Sequence, residues 1–125
     1  MVALIALAIG GVAFADIDLS DFDDDLMQGM DDAVKSFEPN LAAKNGAGAL
    51  EDAAILRDGY VWTEQYFAAK GGTDDAVRIA KQGLDLIDQA VAATKAQDFD
   101  AAATSARAAA KTCRSCHDLY KPLTK

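Results

Sequence analysis

Apolar residues recur at steps of three and four along most of this chain, and no segment alternates with period two over the length of a strand. That spacing lines side chains up along one face of an α-helix. In the first segment Phe22, Leu26, Met30, Val34, Phe37 and Leu41 form one stripe. Ser20 is the expected N-cap, and the aspartates behind it suit the positive end of a helix dipole. Pro39 is expected to end or kink this helix near Phe37, because its ring clashes with the preceding turn. Asn45-Gly46-Ala47-Gly48 reads as the break that follows.

A second helix is expected from about Ala49 to Lys70, closed by Gly71-Gly72. Its apolar residues, among them Leu50, Ile55, Tyr60, Trp62 and Phe67, spread around much of the helical wheel. Such a helix touches more than its two neighbours, for example a cofactor or a second subunit. Thr73 is the expected cap of a third helix, whose buried stripe is Val77, Ala80, Leu84, Ile87 and Val91. Asp98 caps a fourth, with Phe99, Ala103, Ala106, Ala110, Cys113, His117 and Tyr120 at helical spacing, and Pro122 ends it. Four helices of roughly 20 residues with short connections predict an all-α fold, an antiparallel up-down-up-down four-helix bundle. Ile79 and Leu86 fall outside the expected stripe of the third helix, which leaves a homodimer open.

Residues 1–15 stand apart. Met1 to Ala15 is uncharged, Val2 to Ile9 is wholly apolar, and Ala13-Phe14-Ala15 before Asp16 suits signal peptidase. The stretch is short for a bilayer span, which needs about 20 residues. It reads as a cleaved export signal, and the lack of a Lys or Arg before the apolar run points to a start further upstream. The mature domain, 16–125, is then expected in the periplasm, without membrane insertion.

Charge adds less than its size suggests. The 125-residue chain carries a net charge of −8, which argues against nucleic acid as a partner. Eight aspartates and no basic residue lie between Asp16 and Asp32, whereas Arg107 to Lys125 holds five basic residues against Asp118 alone. In an antiparallel bundle these ends adjoin and are expected to neutralise each other. The other reading is a charged rim that steers a redox partner.

Cys113-Arg114-Ser115-Cys116-His117 carries the chemistry. C-x-x-C-H is the attachment signature of c-type haem, in which two thiols form thioethers with the haem vinyl groups and the histidine reaches the iron. Cys113 and His117 are four apart and share a helical face, along which a flat ring can lie. A thioredoxin-type motif needs a strand beside it, and a zinc site needs about four ligands. A local disulfide is the remaining competitor. His117 is the sole histidine, so a bis-histidine iron is excluded within one chain. Met27 and Met30, near the start of the first helix, adjoin the end of the fourth in an antiparallel bundle. Either is a candidate sixth ligand, and spacing does not choose between them.

A C-x-x-C-H near the C-terminus of a fourth helix resembles the class II c-type cytochromes, the cytochrome c′ family. Cys113 to Lys121 is similar to that family's C-x-x-C-H-x-x-Tyr-Arg ending, with Lys121 in place of the arginine. Leu26-Met27 resembles the Leu-Met of its low-spin, methionine-ligated members. Met27-x-x-Met30-x-Asp32-x-Val34-Lys35 also resembles the first helix of the soluble b-type four-helix cytochrome. Both resemblances imply Met27 as the distal ligand, opposite His117, with Cys113 and Cys116 as the haem c attachment sites. Tyr120, one turn beyond His117, is expected against the haem edge. Trp62 and Tyr66 are weaker pocket candidates, and Arg57 or Lys111 candidates for a propionate.

The expected function is therefore that of a periplasmic monohaem cytochrome carrying single electrons between redox partner proteins, and not an enzyme. The alternative is a five-coordinate cytochrome c′ that binds nitric oxide or carbon monoxide, with Leu26 or another stripe residue over the iron. A haem-free exported protein with a local disulfide is a third reading.

Overall fold

A computed structural model describes residues 17–120, so the export signal, Asp16 and the end of the chain beyond Tyr120 lie outside the described residues. Four helices make up the fold: α1 (Asp24–Ala42), α2 (Gly46–Lys70), α3 (Asp74–Lys95) and α4 (Phe99–Leu119). There is no strand among the described residues. Each helix packs on the next in sequence, and α4 closes the ring on α1. The bundle is antiparallel and up-down-up-down, as the spacing predicts. No helix among the described residues is long and apolar enough to cross a membrane.

A heptad-like seam explains the packing. On α2 the buried residues include Ala49, Ala53, Leu56, Tyr60, Thr63 and Phe67; on α3 they include Ala76, Ala80, Gly83, Ile87, Ala90 and Thr94. Alternating steps of four and three keep one line of side chains facing the bundle axis. On α4 the line begins with Ala102, Ala106 and Ala109, and the same spacing carries it on to Cys113, Cys116 and Tyr120. Small side chains on this line let the backbones approach. Phe37, Leu41, Leu56 and Ile87 fill the space that remains at the closed end, each at most 2% exposed. Burial of such side chains contributes about 1.5–3 kcal/mol apiece.

The α3 seam departs from the expected stripe. Val77, Leu84 and Val91 are half-buried flanking residues, while Ile79 is buried and Leu86 packs on the core. The buried line is thus turned toward the small residues, because close helix approach rewards small size over hydrophobicity at the centre of a contact. Among the described residues the large apolar side chains left exposed are Ile55 on α2 and Leu119 on α4, not residues of α3.

Helix boundaries shift for local reasons. Asp23, not Ser20, caps α1, accepting from the Leu26 N–H at 2.9 Å, whereas Ser20 donates its own N–H to Asp18 in the preceding turn. Pro39 does not end α1, which runs on to Ala42. Burial of Leu41 holds the last turn in place, and Asn40 anchors it by donating to Asp52 on α2 at 2.8 Å. The α1–α2 and α3–α4 connections share one geometry. A helical Ala43 or Ala96 is followed by a left-handed Lys44 (φ 55°) or Gln97 (φ 60°), then by Asn45 or Asp98 as cap. Asn45 accepts from the Gly48 N–H, so α2 starts at Gly46 rather than Ala49. Thr73 occupies the expected cap position of α3, yet its buried hydroxyl donates to the Phe67 carbonyl instead.

The aromatic residues of α2 outside its seam are covered by the chain itself. Phe22, just before α1, packs edge-on against Trp62 and Tyr66 at ring distances of 4.9 Å, and Trp62 stacks on Tyr66 at 5.1 Å. Asp21 accepts from the Tyr66 hydroxyl and from Lys70. Part of the wide apolar wheel of α2 thus meets the N-terminal segment.

Gly83 marks the tightest approach in the seam, since a Cβ there would lie 2.2 Å from the Tyr60 ring. Gly29 faces open space. Helix propensity alone favours alanine at both by about 1 kcal/mol. Chemical denaturation is expected to show Gly29→Ala stabilising by about 0.5–1 kcal/mol and Gly83→Ala destabilising by about 1–3 kcal/mol through overpacking.

Candidate cofactor site

The end of the bundle where α1 and α3 begin and α2 and α4 finish is not filled. A cavity of about 390 Å³ opens there, within the range of roughly 300–1,000 Å³ typical of cofactor sites. It arises where the α4 seam passes from alanine to Cys113 and Cys116, opposite the equally small Ala80 and Thr63. Its walls are mostly apolar, with Asp24 and Asp31 contributed by the acidic start of α1.

All five expected site residues line this one cavity: Cys113, Cys116 and His117 from α4, Met27 from α1, and Tyr120 at the end of α4. Met30 lines it as well, seated where a Cβ on Gly59 would fall 2.3 Å from its sulfur. Both cysteines are half-buried free thiols. Burial pushes the Cys113 thiol above its usual pKa, and pushes Cys116 up to about 11, with Asp75 adding to the effect. The nitrogen and sulfur donors lining the cavity are thus one imidazole, two thiols and two thioethers, beside the Asp24 and Asp31 carboxylates. That set suits a flat iron macrocycle attached through sulfur. No group of three or more His, Cys, Asp or Glu is gathered as a metal site among the described residues.

Tyr120 is placed by a contact that single-sequence spacing does not reveal. Its hydroxyl donates to Asp75 in the first turn of α3, and its ring packs on Phe67 at 5.0 Å. Asp75 thereby ties the end of α4 to the start of α3, beside the cavity. The bond holds the Asp75 carboxyl below the usual 3.8. Burial first, and the Asp75 bond second, push the Tyr120 phenol up to about 12.

Several secondary candidates lie elsewhere. Trp62 and Tyr66 do not line the cavity; they stack behind Phe22, which does. Arg57 is outside it and donates to Asp88 on α3 at 3.0 Å. Lys111 is exposed and also outside the lining. Leu26 packs on the core and is absent from the wall, whereas its neighbour Met27 is part of it. Among the described residues Asp21 pairs with Lys70 and Asp31 with Lys35, while Arg107 bridges α4 to Glu38; Lys121 and Lys125 of the basic end lie outside the described residues. The antiparallel arrangement puts the start of α1 and the end of α4 at the same end of the bundle, where Asp21 is held by a partner on α2 and Asp31 by one on α1.

Tyr60 is the site residue that spacing alone misses. It is 5% exposed, lines the cavity, and its hydroxyl reaches the Ala109 carbonyl, Thr112 and Cys113 on α4. The signal is dispersed over Tyr60, Gly83 and Thr112, three helices that only the fold brings together.

No family model, curated protein or solved structure matches this chain.

The Asp75–Tyr120 bond makes a pH-dependent prediction. A carboxyl with a depressed folded pKa stabilises the fold above its unfolded pKa, and that contribution is lost as pH falls through the folded value. Tyr120→Phe is expected to be less stable than the parent chain at neutral pH, with the gap narrowing as pH drops below 3.8. Urea titrations at a series of pH values read this directly. A gap independent of pH would assign the loss to packing instead.

Proposed function

We propose that this chain is a periplasmic monohaem c-type cytochrome that passes single electrons between redox partner proteins. One observation carries the reading: the two thiols and the imidazole of Cys113-Arg114-Ser115-Cys116-His117 line the same apolar cavity as Met27, which comes from the opposite end of the sequence. The C-x-x-C-H motif was legible without any fold. That a thioether donor from α1 shares its cavity is a separate fact, and it supports the methionine-ligated form of the cytochrome c′ resemblance.

In this reading Cys113 and Cys116 would hold a haem through thioethers, and His117 and Met27 would be the ligands to its iron. A bound haem supplies a one-electron iron couple. The protein's part is to fix the ligands and keep water out. Phe22, Phe67 and Ile79 supply apolar wall, and such surroundings, together with a methionine ligand, tend to raise a haem reduction potential. Asp75 holds the α4 terminus through Tyr120 and so steadies the segment that bears His117. Leu26 is outside the cavity wall, whereas Phe22 and Met30 of the same stripe line it; the spin state, and not this placement, separates the carrier from the five-coordinate gas-binding alternative.

Optical spectra of the holoprotein, with Met27→Ala and Met30→Ala beside it, test the proposal. The parent protein is expected to be low-spin in the oxidised state and to bind carbon monoxide only by displacing a ligand. Met27→Ala is expected to become high-spin and to bind carbon monoxide freely, while Met30→Ala stays low-spin. A low-spin spectrum unchanged in Met27→Ala contradicts the ligand assignment, and a high-spin parent favours the gas-binding reading.

A further inference from the structure

The two cysteines on the cavity wall have different polar surroundings. Cys113 Sγ lies 3.7 Å from the Tyr60 hydroxyl oxygen. Cys116 Sγ has no hydrogen-bond partner among the described residues. For Cys113 the bond from Tyr60 favours the ionised sulfur.

Counting protons on the local network shows what Tyr60 can do. The Thr112 hydroxyl donates to the Ala109 carbonyl at 2.6 Å. Tyr60 has one proton and three acceptors in reach: the Ala109 carbonyl at 2.9 Å, Thr112 Oγ1 at 2.8 Å and Cys113 Sγ at 3.7 Å. Beside a neutral thiol, the two oxygens are the better acceptors. Once the sulfur is ionised, a charge-assisted bond to it is the stronger choice. Turning the phenol proton toward the sulfur leaves no group stranded, because Thr112 continues to satisfy the Ala109 carbonyl. The ring cannot drift away, since it sits in the notch at Gly83. A fixed donor aimed where charge develops needs little reorganisation.

We propose that Tyr60 is a positioning residue whose hydroxyl donates to Cys113 Sγ as that thiol ionises, so that Cys113 is the first of the two cysteines to add to a carbon–carbon double bond in the cavity. The inference deepens the haem reading and rests on it for the identity of the natural double bond, a haem vinyl group. In the step a sulfur–carbon bond forms and the π bond breaks. The thiol proton ends on the neighbouring carbon, so no electrons are gained or lost and no oxidant is required. The thiolate is the attacking form, which is why a donor to sulfur matters.

N-ethylmaleimide, whose double bond takes up thiols in the same way, tests this on the full chain produced without haem attachment and kept reduced. Peptide mass spectrometry over a time course gives the rate at each cysteine, and far-UV circular dichroism checks that each variant is helical. Cys113 is expected to react about three- to tenfold faster than Cys116, the worth of one modest hydrogen bond. Tyr60→Phe should abolish the preference by slowing Cys113 alone. Thr112→Val, which keeps the phenol but removes the hydroxyl that relieves it at the Ala109 carbonyl, should narrow the preference without abolishing it. Equal or reversed rates in the parent chain overturn the proposal, and this arm needs no variant to fold. So does a preference that survives Tyr60→Phe, or one that both variants remove alike. Co-expression of the parent chain with a haem-attachment system separates the two readings. Absence of covalent haem there counts against the cytochrome, whereas the maleimide rates judge Tyr60 on its own.

Discussion

The structure depends on how Tyr60 is wedged. Its ring leaves α2, fills the notch at Gly83 on α3, and carries a hydroxyl to the Ala109 carbonyl and Thr112 on α4. One side chain thus connects three helices. A buried phenol without partners would cost about 1–3 kcal/mol, so the hydroxyl both requires α4 at this height and fixes it there. On one side of the ring lies the filled core of Phe37, Leu41, Leu56 and Ile87; on the other lies the open end. Tyr60 forms the floor between them. Cys113, the next residue along the α4 seam, is therefore held at the boundary of packed and unpacked space.

Above that floor lies the candidate site. Thiols and an imidazole on successive turns of α4 face an apolar space, and α1 brings a thioether to the same space. The walls are braced separately: Tyr120 by Asp75 and Phe67, Phe22 by Trp62 and Tyr66. Each aromatic contact is worth about 0.5–1.5 kcal/mol beyond simple burial. This bracing matters because the space itself contributes no packing of its own. In the proposed reading the haem completes the core, which links cofactor attachment to the stability of that end of the bundle.

Much of this was legible in the chain. Steps of three and four gave four helices and their order, and Cys113 to His117 stood out as the candidate site before any contact was known. The failures have a common physical origin. Ser20 lost the cap to Asp23 because both are good caps and only the docking of Phe22 decides between them. Pro39 sits inside α1 because burial of Leu41 outweighs one missing hydrogen bond, and burial is a tertiary fact. The expected α3 stripe shares Ala80 and Ile87 with the buried seam, but Ala76, Gly83 and Ala90 take the places of Val77, Leu84 and Val91 for closeness of approach. Trp62 and Tyr66 were natural pocket candidates until the segment around Phe22 covered them. Tyr60, Gly83 and Asp75 make their contacts across helices, and a single sequence carries no mark of such pairings.

The central claim is that Cys113 and Cys116 both carry one haem, and trypsin offers a direct test because Arg114 lies between them. Cleavage after Lys111 and Arg114 separates the segment 112–114 from the one that begins at Ser115. For the purified protein made with a haem-attachment system, the account predicts that mass spectrometry finds these two peptides still joined through one haem after full reduction. Peptides that part on reduction would show a disulfide, and peptides without any haem mass would contradict the account.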